Sequence, residues 1–206
     1  MKKDLVGLID YGLGNMQSIC SALAKVKANY ILINKKDDFK KVTKLVLPGV
    51  GSFKQGMENL NKLGYCDEII SRVKKKVPIL GICLGMQLLA EEGNEGGKTT
   101  GLGLIEGKVS KMVKSKNFPL PHTGWNKIFF KKELKILKNI PSESFFYFIH
   151  SYHFELNTTI DSIGLSNYGK EFVSFIKFKN IYGIQSHPEK SQLVGLNFLG
   201  NFVNGN

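Results

Sequence analysis

The first half of the chain alternates short apolar runs with longer amphipathic segments, and this alternation constrains the fold more than any other feature. The apolar runs cover residues 5–9, 30–33, 45–47 and 79–82. Between them, residues 15–26, 53–63 and 65–75 carry apolar side chains at helical spacing. Alternating strands and helices of this kind predict a mostly parallel open sheet with helices on both faces.

The second half has a different pattern, with closely spaced strand candidates. They cover residues 108–113, 127–130, 145–149, 162–166, 173–178 and 182–184, and a final helix is predicted over residues 193–203. These strands are expected to be mixed, partly antiparallel. No repeat, low-complexity tract or linker interrupts the sequence, so we expect a single α/β domain over residues 1–206.

The motif Gly81-Ile82-Cys83-Leu84-Gly85 lies between an apolar run and the helix-like residues 86–91. A cysteine on a sharp turn from strand to helix is a nucleophile elbow, and the flanking glycines are needed because Cβ atoms would clash there. The position also places the thiol at a helix N-terminus, where thiolate is favoured. Cys83 is therefore the predicted nucleophile.

A second motif, His187-Pro188-Glu189, follows the strand candidate at residues 182–185. The carboxyl ends of parallel strands meet at one edge of a sheet, so His187 is expected near Cys83 as the general base. In an extended segment, residues two apart lie on the same side, so Glu189 is expected to orient the imidazole.

The loop Pro48-Gly49-Val50-Gly51 directly follows the strand candidate at residues 45–47. Backbone amides in such a loop can turn toward a developing oxyanion. We assign the oxyanion hole to the N–H groups of Val50 and Leu84, the second being the residue after the nucleophile.

Composition argues against several other classes of protein. The 29 Lys and Arg residues outnumber the 17 Asp and Glu residues, but they are scattered and contain no aromatic-glycine recognition motif, so no nucleic-acid partner is predicted. Three scattered cysteines indicate neither a disulfide framework nor a zinc site, and suggest a reducing, cytoplasmic setting. No apolar run approaches the roughly 20 residues of a membrane helix, so no membrane association is predicted.

Metals and cofactors find little support in the sequence. The other histidines, His122, His150 and His153, do not match a zinc-binding spacing with His187. Gly12-Leu13-Gly14 resembles a dinucleotide turn, but Gln17 occupies the third glycine position. We expect neither a metal nor a cofactor, and interpret this segment as a tight loop into a helix capped by Asn15.

Taken together, the elbow and His187-Pro188-Glu189 resemble the triad-type, or class I, glutamine amidotransferases. Further motifs resemble the glutaminase subunits of imidazole glycerol phosphate synthase. They are Asp10-Tyr11-Gly12-Leu13-Gly14-Asn15, Pro48-Gly49-Val50-Gly51-Ser52-Phe53, Pro121-His122-Thr123-Gly124-Trp125-Asn126, His150-Ser151-Tyr152-His153 and His187-Pro188-Glu189-Lys190-Ser191.

This resemblance implies a function, a substrate and a partner. Glutamine would be hydrolysed to glutamate and ammonia by the triad Cys83, His187 and Glu189. Ammonia would pass through a channel to a (β/α)8-barrel cyclase subunit in a heterodimer, which forms imidazole glycerol phosphate and aminoimidazole carboxamide ribotide in histidine biosynthesis. Without that partner, glutaminase activity should be slight.

The resemblance also implies roles for further residues. The positions at which the family binds its substrate glutamine correspond here to Gly51, Gln87, Glu95, Ser151 and Tyr152. Positions that face the partner match Asn15, Trp125, Tyr147 and Lys190.

Two departures from the family pattern keep alternatives open. The family more often has Phe in place of Ser186 and Met in place of Thr123. A paralogue that supplies ammonia to a cyclase-like partner in amidino-sugar or surface-polysaccharide synthesis is one alternative. Independently of these departures, two rival classes stay open: a stand-alone cysteine hydrolase, fully active without a partner, and a catalytically inactive binding module.

Overall fold

Five parallel strands form one side of a large mixed sheet in the computed structural model, which describes residues 4–205. Their order across the sheet is β2, β1, β3, β4 and β13. These strands are β1 (Val6–Ile9), β2 (Tyr30–Ile33), β3 (Lys44–Leu47), β4 (Ile79–Ile82) and β13 (Ile181–Ile184). The register places Ile82, the last residue of β4, beside Ile184, the last residue of β13. The parallel sheet expected from the sequence is confirmed.

Helices cover both faces of the parallel strands, as the sequence predicts. The helices are α1 (Met16–Lys25), α2 (Phe53–Leu63), α3 (Tyr65–Lys74), the short α4 (Leu84–Gln87) and α5 (Gln192–Asn204). Apolar residues of α1 and α5 pack on one face of the sheet, and those of α2 and α3 pack on the other. Among residues 4–205, no helix is long and apolar enough to cross a membrane.

The rest of the sheet is largely antiparallel, which confirms the mixed character expected of the second half. Its strands are β5 (Glu92–Gly93), β6 (Thr99–Thr100), β7 (Gly107–Lys111), β8 (His122–Phe130), β9 (Glu143–His150), β10 (Tyr152–Leu156), β11 (Ser162–Tyr168) and β12 (Lys170–Phe178). Strand β12 joins the two parts because one of its edges pairs antiparallel with β13 and, at Val173, with β10, while its other edge pairs antiparallel with β11. Short 3-10 turns cover Lys36–Lys41, Lys135–Leu137 and Pro188–Lys190.

The prediction of a helix over residues 86–91 is wrong, because α4 ends at Gln87. Beyond it the chain turns, and the carbonyl of Leu88 accepts a hydrogen bond from the amide of Leu102 at 2.9 Å. A helix of one turn has only a small dipole, so the helix contributes less to thiolate stability at Cys83 than the sequence suggested.

Strands were also missed in the second half. Strand β10 was not predicted, and β8 begins at His122, five residues before the predicted start. Glycine and proline residues near 119–124 hid the start of β8, because such residues usually mark loops. These missed segments matter because His122 and Tyr152 both lie near the site described next.

Candidate active site

Cys83 occupies a strained turn directly after β4. Its backbone dihedral angles, φ 53° and ψ −112°, are rare for a residue with a side chain. A Cβ atom on Gly85 would clash with the carbonyl oxygen of Leu47, and one on Gly81 would lie 2.6 Å from the carbonyl oxygen of Gly85. Both flanking glycines are thus required by sterics. The local geometry is that of a nucleophile elbow.

His187 and Glu189 form a close, buried pair at the same edge of the sheet. The His187 Nδ1 atom lies 2.7 Å from Glu189 Oε1, and the two side chains are 2% and 1% exposed. The prediction that this segment is extended is wrong, because residues Pro188–Lys190 form a 3-10 turn. The turn, rather than alternation along a strand, brings the carboxylate to the imidazole.

The charge of Cys83 also affects the pKa of the His187 imidazole. Burial by itself lowers the pKa of His187, but negative charge on Cys83 and the carboxylate of Glu189 outweigh it and raise that pKa to about 10. Within residues 4–205 the buried Nε2 atom makes no hydrogen bond of standard geometry, although hydrogen bonding with Cys83 also contributes to the raised pKa of His187. The ring is therefore held at Nδ1, while Nε2 remains available for proton transfer.

The backbone of His187 is held by the neighbouring strand β9 and by Ser191. The His187 amide donates to the carbonyl of Tyr147 at 2.8 Å. The Ser191 hydroxyl donates to the carbonyl of His187 at 2.6 Å and accepts from the Tyr147 amide at 3.0 Å. These contacts fix the position from which the imidazole projects.

A cavity of about 260 Å³ opens beside Cys83. Its lining includes Cys83 with both residues assigned to the oxyanion hole, and all five residues expected to bind glutamine. These residues are Val50, Leu84, Gly51, Gln87, Glu95, Ser151 and Tyr152, and Lys190 also lines the cavity. The structure therefore brings Cys83 and the residues predicted for the oxyanion hole and for glutamine to one small, partly polar space, whereas His187 and Glu189 are buried and are not part of its lining.

Two polar side chains of the cavity are held by the protein itself. The Glu95 carboxylate accepts a hydrogen bond at 3.0 Å from the amide of Phe53, the first residue of α2. Burial raises the pKa of Glu95, although that hydrogen bond opposes the rise. The Gln87 Nε2 atom donates to the carbonyl of Tyr152 at 3.0 Å and to Gln185 Oε1 at 3.1 Å.

Gln185 is a site residue that the sequence interpretation missed. It is fully buried, and its Nε2 atom lies 3.7 Å from Cys83 Sγ. Its place in the sequence could have predicted this, because Gln185 immediately follows β13 at the edge of the sheet where Cys83 follows β4.

The assignment of Val50 to the oxyanion hole does not hold in this conformation. The Val50 N–H donates a hydrogen bond to the carbonyl of Leu13 at 3.2 Å, so it is not directed at the cysteine. The N–H of Leu84 starts α4 and has no intrahelical acceptor by its position. Of the two assigned donors, only the N–H of Leu84 is left unused, because the helix that it begins offers it no acceptor.

Two other histidines form a buried pair beside the cavity. His122 Nδ1 and His150 Nε2 are 2.9 Å apart, and His150 lines the cavity. Burial lowers the pKa of His122 to about 4, and burial is also the main reason that the pKa of His150 falls to about 3. No group of three or more histidine, cysteine or acidic side chains suited to a metal ion occurs within residues 4–205.

Three of the four residues expected to face a partner contact one another. The rings of Trp125 and Tyr147 meet edge to face at 6.1 Å between centroids, and Lys190 Nζ lies 5.9 Å from the Tyr147 ring centroid. Trp125 is 46% exposed, which is unusual for so large an apolar side chain. Asn15 is the exposed N-cap of α1, where its side chain accepts a hydrogen bond from the Ser18 amide.

Sequence comparison identifies relatives along almost the whole chain. The family model described as glutamine amidotransferase class-I matches residues 7–204. Imidazole glycerol phosphate synthase subunit HisH 1 of Campylobacter jejuni is 44% identical over 97% of this chain and 99% of its own length. Subunit HisH 2 of Methanococcus maripaludis is 42% identical over 97% of this chain and 98% of its own length.

Structure comparison agrees on the fold. A crystal structure titled as a glutamine amidotransferase superposes with a TM-score of 0.75 at 18% identity, covering 98% of this chain and 99% of that one. At this identity the likeness concerns the fold alone. From the family model and the sequence relatives, the chain belongs to the class I glutamine amidotransferase family, among the HisH subunits.

Proposed function

We propose that this class I glutamine amidotransferase is the glutaminase subunit of an imidazole glycerol phosphate synthase. The observation that carries the proposal is the cavity at Cys83, which is lined by every residue expected to hold glutamine, together with the interaction of Cys83 with His187, whose Nδ1 is bound by Glu189. The names of the relatives favour this pathway over a sugar-modifying paralogue.

In the first half of the reaction, the Cys83 thiolate attacks the carbonyl carbon of the glutamine side-chain amide. The negative charge that develops on the amide oxygen is stabilised by the N–H of Leu84, with Val50 joining once its N–H leaves Leu13. Protonated His187 gives its proton to the departing nitrogen. The C–N bond breaks, ammonia leaves and a thioester to Cys83 remains.

In the second half, water attacks the thioester carbonyl. His187, now neutral, takes the proton from that water, and the C–S bond breaks to release glutamate and restore the thiolate. Glu189 holds Nδ1–H of the imidazole through both steps, so that Nε2 is the atom that carries the proton to and from the substrate.

The partner is proposed to be a (β/α)8-barrel cyclase subunit that forms a heterodimer with this chain and receives the ammonia through a sequestered channel. The HisH relatives are named as subunits, which supports assembly with a second chain. The surface formed by Trp125, Tyr147 and Lys190 lies next to the cavity, since Lys190 also lines it. A cyclase bound at this surface would be close to the point where ammonia is released.

The decisive experiment uses Cys83→Ala in the complex with the cyclase subunit. Glutamine-dependent synthesis of imidazole glycerol phosphate should be lost, while synthesis from added ammonium salt should continue at the wild-type rate. Equal loss of both activities would contradict the division of labour between the subunits. Full glutaminase activity of the wild-type chain alone would instead favour the stand-alone hydrolase.

A further inference from the structure

A continuous chain of hydrogen bonds runs from the surface to the sulfur of Cys83. The amide of Asn126 contacts His122 at 3.3 Å, and His122 contacts His150. His150 Nδ1 lies 2.9 Å from the Tyr152 carbonyl, which also accepts from Gln87. Gln87 then contacts Gln185, and Gln185 contacts the sulfur.

The Tyr152 carbonyl determines which way the two glutamine amides point. A carbonyl oxygen can only accept, so Gln87 must direct its NH₂ group at Tyr152, and that same nitrogen is 3.1 Å from Gln185. Gln185 must therefore present its oxygen to Gln87. Its NH₂ group is left to face Cys83, and the reverse orientation would place donor against donor.

The same carbonyl determines the state of both histidines. His150 Nδ1 must donate to Tyr152, so a neutral His150 offers Nε2 as an acceptor, and His122 Nδ1 must then donate to it. The Asn126 amide donates to the remaining nitrogen of His122. Every link thus has one allowed direction, which makes the position of the Gln185 amide a fixed property of the folded chain.

We infer that Gln185 is a catalytic residue whose side-chain N–H group donates to the Cys83 sulfur and stabilises the thiolate that attacks the substrate. The inference rests on the proposed function, which makes Cys83 the nucleophile. Gln185 is 0% exposed, so its N–H acts in a place where water cannot substitute for it. Gln87 is a positioning residue that acts through Gln185, and His150, with His122 behind it, bonds the Tyr152 carbonyl to which Gln87 also donates.

Other groups also face the sulfur, and the test must separate them from Gln185. The backbone carbonyl of Ile149 is 3.9 Å away and can accept from the neutral thiol. The charge of Cys83 interacts with His187 and with Tyr11, whose pKa is raised by burial and by that charge. Glu95 and Lys190 line the same cavity as Cys83. None of these groups is altered by a substitution at Gln185.

The experiment measures the rate of Cys83 alkylation by iodoacetamide across roughly pH 5 to 10, by mass spectrometry of the peptide that contains Cys83. Gln185→Met keeps the size of the side chain and removes the donor, so the midpoint of the pH profile should rise by about one unit. Gln185→Glu keeps the shape but turns an oxygen toward the sulfur, so its midpoint should rise further. In the complex, kcat for glutamine hydrolysis should fall about tenfold in Gln185→Met with little change in KM.

The matched control is Ser174→Ala on the adjacent strand β12. Ser174 is equally buried, and its hydroxyl bonds to Ser166 at 2.8 Å without touching the cysteine. The Ser174→Ala substitution should leave the midpoint of the pH profile of Cys83 alkylation unchanged. Wild-type midpoints in both Gln185 variants, or a lower midpoint for Gln185→Glu than for Gln185→Met, would overturn the inference. Alkylation of Cys83 does not require glutamine hydrolysis. The midpoints of wild type and the two Gln185 variants can therefore be compared even if the wild-type complex released no glutamate, and failure of the proposed function is distinguished from failure of this inference.

Discussion

The Nδ1 atom of His187 lies 2.7 Å from the carboxylate of Glu189 in a part of the protein that excludes water almost completely. The second carboxylate oxygen, Oε2, is buried without a hydrogen-bond partner in the described part of the chain. The interaction of this carboxylate with the imidazole is thus the main compensation for its burial. Such an arrangement fixes the tautomer of His187 and favours its protonated form.

Replacing Glu189 with Gln should leave the fold intact but impair catalysis. The amide can still contact Nδ1, yet it carries no charge and can present its NH₂ group, which selects the wrong tautomer. We expect kcat of the complex to fall by about 10² to 10⁴, with KM for glutamine nearly unchanged. Steady-state glutamate release checks this. A loss confined to KM would instead assign Glu189 to substrate binding.

Cys83→Ser should lower the pKa of His187, because negative charge on Cys83 is the leading cause that raises it. NMR titration of the imidazole C–H signals in the free chain measures the change.

A pKa raised to about 10 in the folded state stabilises the protein below pH 6.5, and this contribution is lost as pH rises through 10. The free energy of unfolding should therefore decline less between pH 7 and 10 in Cys83→Ser than in wild type. Identical declines would show that the charge of Cys83 does not act on His187.

The hydrogen bond from Val50 to Leu13 predicts slow glutamine hydrolysis by the isolated chain. One of the two oxyanion donors is engaged elsewhere, and removing one such donor typically costs about 3 kcal/mol, or more than a hundredfold in rate. Adding the cyclase subunit and its ligand should raise glutamate release by a factor of this order. Hydrogen exchange at the Val50 amide should be slow in the free chain and faster in the activated complex. If the Val50 amide exchanged equally slowly in the free chain and in the activated complex, activation would not depend on breaking its hydrogen bond to Leu13.

Local patterns carried enough information to predict the parallel half of the fold. The strand at Ile79–Ile82 and the helix at Phe53–Leu63 have the predicted bounds, since apolar spacing and flanking glycines act over a few residues. Burial on both faces explains why these strands appear as continuous apolar runs. The same local reasoning located Cys83, because the glycine spacing of the elbow is itself a steric requirement.

Features that depend on contacts across the sheet could not be predicted in this way. The engagement of Val50 by Leu13 joins two separate loops, and neither loop reveals it by itself. Gln185 was missed because its role depends on Gln87, about a hundred residues earlier in the chain, and on the backbone of Tyr152. The 3-10 turn at Pro188–Lys190 is a different case, because its hydrogen bonds are local: the Lys190 amide donates to the His187 carbonyl at 3.0 Å, and Pro188 at the first position of the turn was a signal that the sequence interpretation passed over.

Trp125→Ala should weaken binding of the cyclase subunit without unfolding the chain. The exposed indole packs on Tyr147, and other apolar side chains on the same outer surface of β8 and β9 are also exposed, with Phe145 at 53%. Exposed aromatic residues of this kind often dominate an interface, so we expect a loss of about 2 kcal/mol, or roughly thirtyfold in Kd. Titration calorimetry measures it, with the melting temperature unchanged. Leu63→Ala is the matched control, since Leu63 is similarly exposed, at 41%, at the end of α2. Equal effects of both variants would argue against a specific interface at Trp125.

The buried histidine pair should make the protein sensitive to acid. Unfolded histidines bind a proton near pH 6.5, whereas burial lowers the pKa of His122 to about 4 and that of His150 to about 3. The unfolded state then binds more protons in this range, so the free energy of unfolding falls as pH decreases from 6.5 toward 4. Each histidine can contribute up to about 1.4 kcal/mol per pH unit.

His150→Gln tests this origin of acid sensitivity. The glutamine amide can donate toward the Tyr152 carbonyl and accept from His122, but it does not titrate. Urea unfolding at several pH values should show a shallower slope for this variant than for wild type, and the double variant with His122→Gln should be shallower still. The slope becomes shallower from wild type to the single variant to the double variant, because each substitution removes one histidine that binds a proton more readily in the unfolded chain than in the folded one. A slope that stays at the wild-type value in the double variant would mean that other groups, such as His153, control the acid response.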